Sequence, residues 1–207
     1  MPTRFTFFDI DCLETAPDGT FHLRPRVKPM RDRLNLLYSR IRESGYPMVF
    51  TTCCSGSLLR PEWRKDILFV PLDSRQTEWK NGLATHRLIY LEKRTYGDPQ
   101  KNTICRAFDM FYDNGNAAAL VRELAADEWI LFGNGVECCI NAAVNGVVQA
   151  GGRVTILSDC LCSNDGVDTP EGMESAREAT LKRWLKMGVI PQTMEECFKR
   201  LQLEAVA

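Results

Sequence analysis

Short apolar runs alternate along this chain with longer amphipathic stretches, and few architectures accommodate that rhythm. Phe5–Ile10, Met48–Thr51, Leu88–Leu91, Trp129–Phe132 and Val154–Leu157 are dominated by apolar residues on both faces, as strands buried on both sides are. Between them lie segments with the helical period. From about Pro29, Met30, Leu34, Leu37, Tyr38 and Ile41 share one face, and Gly45 supplies a stop. Ala117–Ala126 repeats the pattern, and Ile140, Ala143, Val144, Val147 and Val148 repeat it again before Gly151-Gly152. Two helices close the chain, about Pro170–Met187 and Met194–Leu203. Strand–helix alternation of this kind predicts an α/β fold: three layers, α/β/α, around a doubly wound, mostly parallel sheet. A length of 207 residues suits one domain over 1–207.

Composition narrows the function. Lys and Arg total 26 against 27 Asp and Glu, so no basic surplus points to nucleic acid. No apolar run approaches the roughly 18 residues that span a bilayer, and Met1–Phe8 has no secretory apolar region. Nine cysteines in a chain this long read as reduced thiols, which places the protein in the cytoplasm. Residues 53–86 and 94–116 are irregular apart from a short strand at Ile67–Val70, and long loops inside a domain are often functional. Trp63, Trp79, Tyr96, Phe108 and Phe111 in these stretches either line a pocket or pack the loops.

In an open parallel sheet, ligands bind beyond the carboxyl ends of the strands. Asp9 closes the first strand, Lys93 follows Leu88–Leu91, and Cys139 opens the helix after Trp129–Phe132. Each has a bland reading: turn residue, solvated strand end, buried small hydrophobe. An acid, a base and a thiol on one sheet edge instead suggest nucleophilic catalysis.

Three segments carry a resemblance to a known family. They are Phe5-Thr-Phe-Phe-Asp-Ile-Asp11, Ile89-Tyr-Leu-Glu-Lys93, and Ile130-Leu-Phe-Gly-Asn-Gly-Val-Glu-Cys-Cys-Ile140 with its sequel Gly151-Gly-Arg-Val-Thr-Ile-Leu-Ser-Asp159. The chain resembles the isochorismatase-like cysteine hydrolases, which include nicotinamidases and N-carbamoyl amidohydrolases. The resemblance covers most of the chain and is closest from about residue 117 onward. It implies a catalytic triad of Asp9, Lys93 and Cys139, and a cis peptide at Asn134–Gly135 beside the oxyanion site. Metal-binding members carry Asp and His after the second strand; here that stretch is Thr51-Thr-Cys-Cys-Ser55, so no metal and no other cofactor is expected. It further implies a small-molecule substrate, and a homo-oligomer, dimer or tetramer, with neither nucleic acid nor membrane as partner.

The expected reaction is hydrolysis of a small amide or carbamoyl C–N bond through a thioester. Lys93 and the helix N-terminus would lower the Cys139 pKa, Asp9 would take its proton, and N–H groups near Gly135 and Cys139 would hold the oxyanion. Two other readings remain. Asp9-Ile-Asp11, a Thr after the second strand and Lys93 also suit a haloacid-dehalogenase-like, magnesium-dependent phosphatase with Asp9 as nucleophile. Alternatively the chain is a catalytically silent, thiol-rich scaffold, with Cys53-Cys54, Cys138-Cys139 and Cys160-x-Cys162 at strand ends.

Overall fold

The computed structural model describes residues 4–15, 21–52, 65–96, 105–106, 109–163 and 170–203. Ten strands occur among these residues: β1 Phe5–Thr15, β2 Phe21–Leu23, β3 Met48–Thr52, β4 Ile67–Val70, β5 Leu88–Leu91, β6 Thr95–Tyr96, β7 Cys105–Arg106, β8 Glu128–Asn134, β9 Val154–Cys162 and β10 Ile190–Gln192. Six α-helices accompany them: α1 Arg31–Ser44, α2 Met110–Asp113, α3 Ala117–Leu124, α4 Asn141–Gln149, α5 Pro170–Leu185 and α6 Met194–Leu201. The main sheet has the order β10-β9-β8-β1-β3-β5-β4, with β2 beside β1. Among the described residues, only the β1–β2 pair in it is antiparallel. The doubly wound, mostly parallel sheet expected from the alternation is the one observed.

Strand parity divides the core. Phe8, Ile10, Val49, Ile89, Trp129 and Leu131 face α3, α4 and Trp184 of α5. Phe7, Met48, Ile130, Phe132 and Leu157 face α1 and α6. β8 is buried at every position, which is why its sequence lacks a polar alternation. Each fully buried large aliphatic or aromatic side chain contributes about 1.5–3 kcal/mol, so the two central strands carry much of the stability.

Helix ends follow local chemistry. α1 buries Leu34, Leu37 and Ile41, and Gly45 ends it at φ +71°. α6 starts with a capping box, Thr193 accepting from the Glu196 N–H and Glu196 returning to the Thr193 N–H. Other boundaries moved. β1 runs on to Thr15 because β2 pairs with its far half, a contact no periodicity encodes. The helix expected from Cys139 begins earlier, as a π turn over Val136–Ile140 closed by Ile140 N–H to Gly135 O at 2.9 Å. Residues 94–116 contain the β6–β7 pair and α2, and residues 71–86 contain a 3-10 turn, Glu78–Gly82, that buries Trp79. Cys53, Cys54, Trp63 and Phe108 lie outside the described residues.

Candidate active site

Two irregularities at the carboxyl edge of the sheet build the site. The first is in β1, where the register against β3 slips between Ile10 and Leu13. Asp11 sits in that slip with φ +59°, a left-handed conformation that Asp tolerates better than most residues. Strict alternation would send the Asp9 and Asp11 side chains to the same face. The left-handed residue breaks the alternation, and the two carboxylates part.

Asp9 keeps the direction of Phe7 and meets α1. Its carboxylate accepts from the Tyr38 hydroxyl at 2.7 Å and from the Cys12 N–H at 3.1 Å. Burial raises its pKa to about 7, although the hydrogen bonds from Tyr38 and Cys12 pull the other way. Asp11 turns towards the α4 side. It accepts from the Lys93 ammonium at 2.5 Å and from the Thr51 hydroxyl at 2.8 Å, and the Cys139 thiol also hydrogen-bonds it. Burial alone would push the Asp11 pKa up. The Lys93 charge and the bonds from Lys93, Thr51 and Cys139 outweigh it and leave the pKa below the usual value. Asp11 is therefore ionised at neutral pH, paired with an ammonium that is 1% exposed. The carboxylate that joins Lys93 and Cys139 is Asp11; the expected convergence on Asp9 is corrected.

The second irregularity is the turn from β8 into the π turn. At Gly133 (φ +139°) a Cβ would lie 2.1 Å from the Ile10 carbonyl oxygen, so only glycine lets β8 approach β1 here. Gly135, at φ +86°, swings the chain into the helix. The Asn134–Gly135 peptide is trans, which corrects the cis bond that the resemblance implied. The Gly135 N–H donates to the Cys162 carbonyl at 2.8 Å, so it is not available to an oxyanion. Asn134 is buried at the end of β8.

Cys139 lies in the π turn and is 6% exposed, with the Cys138 sulfur 3.9 Å from its own. π turns are often found at functional sites. The Cys138 contact, burial and the Asp11 charge all raise the Cys139 pKa, and Lys93 offsets them in part. The resting group is a neutral thiol donating to Asp11. The direction is opposite to the lowering expected from Lys93 and the helix N-terminus.

The remaining candidates fall elsewhere. Asp159 accepts from the Met194 N–H at 2.8 Å and pairs with Arg33, fastening α6 rather than joining the site. Cys12, Cys138, Cys139, Cys160, Cys162 and Cys197 are free thiols. No group of three or more His, Cys, Asp or Glu among the described residues has a metal-holding arrangement. His22 pairs with Glu14, and His86 bonds within its own turn. No helix among the described residues is long and apolar enough to cross a membrane. A phosphatase centre would need Asp9 and Asp11 in one open cleft, and Asp9 is sealed against Tyr38. The triad expectation left out Asp11 as the partner of Lys93, and Thr51 as a further donor to it. The Asp-x-Asp spacing was visible, but the left-handed residue that separates the two was not.

An isochorismatase domain model matches residues 22–196. The chain belongs to the isochorismatase family of hydrolases. Solved structures with the isochorismatase fold are similar along nearly the whole chain. A cysteine hydrolase from Pseudomonas syringae pv. phaseolicola superposes with a TM-score of 0.61 at 12% identity, covering 96% of this chain and 92% of that one. The nicotinamidase of Staphylococcus aureus gives 0.56 at 11% identity, covering 92% and 100%. N-carbamoylsarcosine amidase from Thermoplasma acidophilum gives 0.51 at 13%, covering 92% and 96%. No curated protein sequence gives a significant match.

Proposed function

We propose that this isochorismatase-family protein is a cysteine-dependent hydrolase that cleaves a small amide or carbamoyl C–N bond through a thioester on Cys139. The observation that carries the reading is the buried contact of Asp11 with both Lys93 and the Cys139 thiol. Two of the similar folds are named for enzymes of amides, a nicotinamidase and an N-carbamoylsarcosine amidase, which favours C–N cleavage.

A thiol that rests neutral must lose its proton as it attacks. Asp11 takes that proton while sulfur bonds to the acyl carbon, general-base assistance worth roughly 10²–10⁴ in rate. Lys93 keeps Asp11 ionised until then and balances the charge that develops on sulfur. The carbonyl oxygen becomes an oxyanion beside the amide N–H donors of the helix's leading turn, where the helix dipole favours negative charge. One such donor commonly contributes about 3 kcal/mol. The C–N bond breaks, the amine takes the proton from Asp11, and the thioester remains. Asp11 then draws a proton from water, hydroxide adds to the thioester, and the acid leaves as Cys139 recovers its proton. Asp9, Asn134 and Gly135 are assigned to holding the β1 and β8 ends in place. The protein acts on a small molecule, in the cytoplasm, as a dimer or tetramer.

The test uses purified protein with nicotinamide, N-carbamoyl amino acids and simple acyl amides, following amine or ammonia release. Cys139→Ala should abolish turnover, Asp11→Asn should lower it by about 10²–10⁴, and intact mass should reveal an acyl adduct on the wild type. Turnover by Cys139→Ala equal to wild type would sink the proposal.

A further inference from the structure

Lys93 stands just past β5, at the point where the chain leaves its ladder with β4. The Glu92 N–H donates to the Val70 carbonyl at 3.0 Å, and in a parallel ladder the Leu72 N–H would next donate to the Glu92 carbonyl. Here the Leu72 N–H goes to the Glu92 carboxylate instead, at 2.8 Å. The Glu92 carbonyl accepts from the Asn114 side-chain amide, also at 2.8 Å. That carbonyl belongs to the peptide unit joining Glu92 to Lys93. The unit is planar, so holding its oxygen constrains the direction in which the Lys93 side chain departs.

Asn114 is itself locked. It is buried, its N–H donates to the Met110 carbonyl at the end of α2 at 3.0 Å, and its Oδ1 accepts from the Asn116 N–H at 2.8 Å. A donor for Glu92 and an acceptor for Asn116 are both needed, and an amide side chain supplies the two together. Asn116 stands at the start of α3 without capping it through its side chain. Its amide is also buried and donates to the Pro71 and Asp73 carbonyls, both at 2.9 Å, which fastens the loop after β4. Between the two asparagines the Gly115 N–H donates to the Leu72 carbonyl at 3.1 Å, and a Cβ there would lie 2.8 Å from that of Ser74. Asp113 pairs with Arg94 at 3.6 Å, so residues 113 and 114 hold both chain neighbours of Lys93.

We propose that Asn114 is a positioning residue for the thiol centre: through the Glu92 carbonyl it aims the Lys93 ammonium at Asp11, and Asn116 braces it against the loop after β4. The role rests on the hydrolase reading, in which Lys93 keeps Asp11 ionised. The Lys93 charge holds down the Asp11 pKa and, in part, that of the Cys139 thiol. With the ammonium displaced both rise, and Cys139 reacts only at higher pH. The test follows iodoacetamide alkylation of Cys139 in the full chain against pH, which needs no substrate. Asn114→Leu keeps a branched side chain of similar length but has no amide. Its profile should move to higher pH by about one pH unit, which makes the reaction about tenfold slower at neutral pH. In a chain carrying Asp11→Asn with Lys93→Met, no ammonium is left to aim, and adding Asn114→Leu should change the alkylation rate no further. Thr193→Ala, which removes the α6 cap, should lower the unfolding temperature and leave the profile in place. A wild-type profile in Asn114→Leu, or an equal slowing in the chain without Lys93, overturns the proposal. Should Asn114→Leu misfold, Asn116→Ala carries the test, because loss of the brace must move the profile in the same direction. If turnover survives Cys139→Ala, the hydrolase reading fails, while the alkylation profile still decides whether Asn114 aims Lys93.

Discussion

Replacing Asp9 by Asn separates the two carboxylates of β1 most cleanly. Asp9 is fully buried, and its pKa rises from 3.8 to about 7 because burial disfavours the charged form. The folded state therefore holds this proton more tightly than the unfolded chain. The associated stability is complete below pH 3.8 and is lost as pH climbs through about 7. A shift of about 3 units corresponds to about 4 kcal/mol, of which about 2.5 kcal/mol falls between about pH 5 and about pH 8. Asparagine carries no proton to lose. Its carbonyl can still accept from the Cys12 N–H, and its amide can donate to the Tyr38 hydroxyl. Urea unfolding of wild type and Asp9→Asn at the two pH values isolates the contribution, since every other group is common to both. The variant should gain about 2.5 kcal/mol relative to wild type on going from the lower to the higher pH. Its Cys139 alkylation rate, read by peptide mass, should stay close to wild type, while that of Asp11→Asn should change. Equal pH slopes, or an Asp9→Asn protein whose Cys139 reacts as in Asp11→Asn, would refute the division of roles.

Two further outcomes follow from packing. Lys93→Met leaves Asp11 buried without its ammonium and should cost about 3–5 kcal/mol at neutral pH. Adding Asp11→Asn should recover at least half of that in a denaturation double-mutant cycle. Gly146→Ala would place a Cβ 2.0 Å from the Phe111 ring, which packs on α4. The substitution should destabilise by about 1–3 kcal/mol, and Phe111→Ala in the same chain should remove most of the penalty in thermal unfolding.

Apolar runs that never alternate dictated buried parallel strands, and the helical period between them dictated covering layers. Those two signals were enough for the fold, because both are local patterns that one hydrophobic core must satisfy. Lys93 and Cys139 were legible for the same reason: each lies close to a strand end, where a doubly wound sheet puts its chemistry. The third partner was not legible. Alternation assigns Asp9 and Asp11 to one face, and only the slipped register of β1 against β3, with Asp11 at φ +59°, sends them apart. That conformation is held by contacts with Thr51 and Lys93, 40 and 82 residues away along the chain. The resting state of the Cys139 thiol likewise depends on what lies beside a residue in space. Periodicity reports the direction a side chain takes from its backbone; which charges wait there is decided by the packing of distant segments.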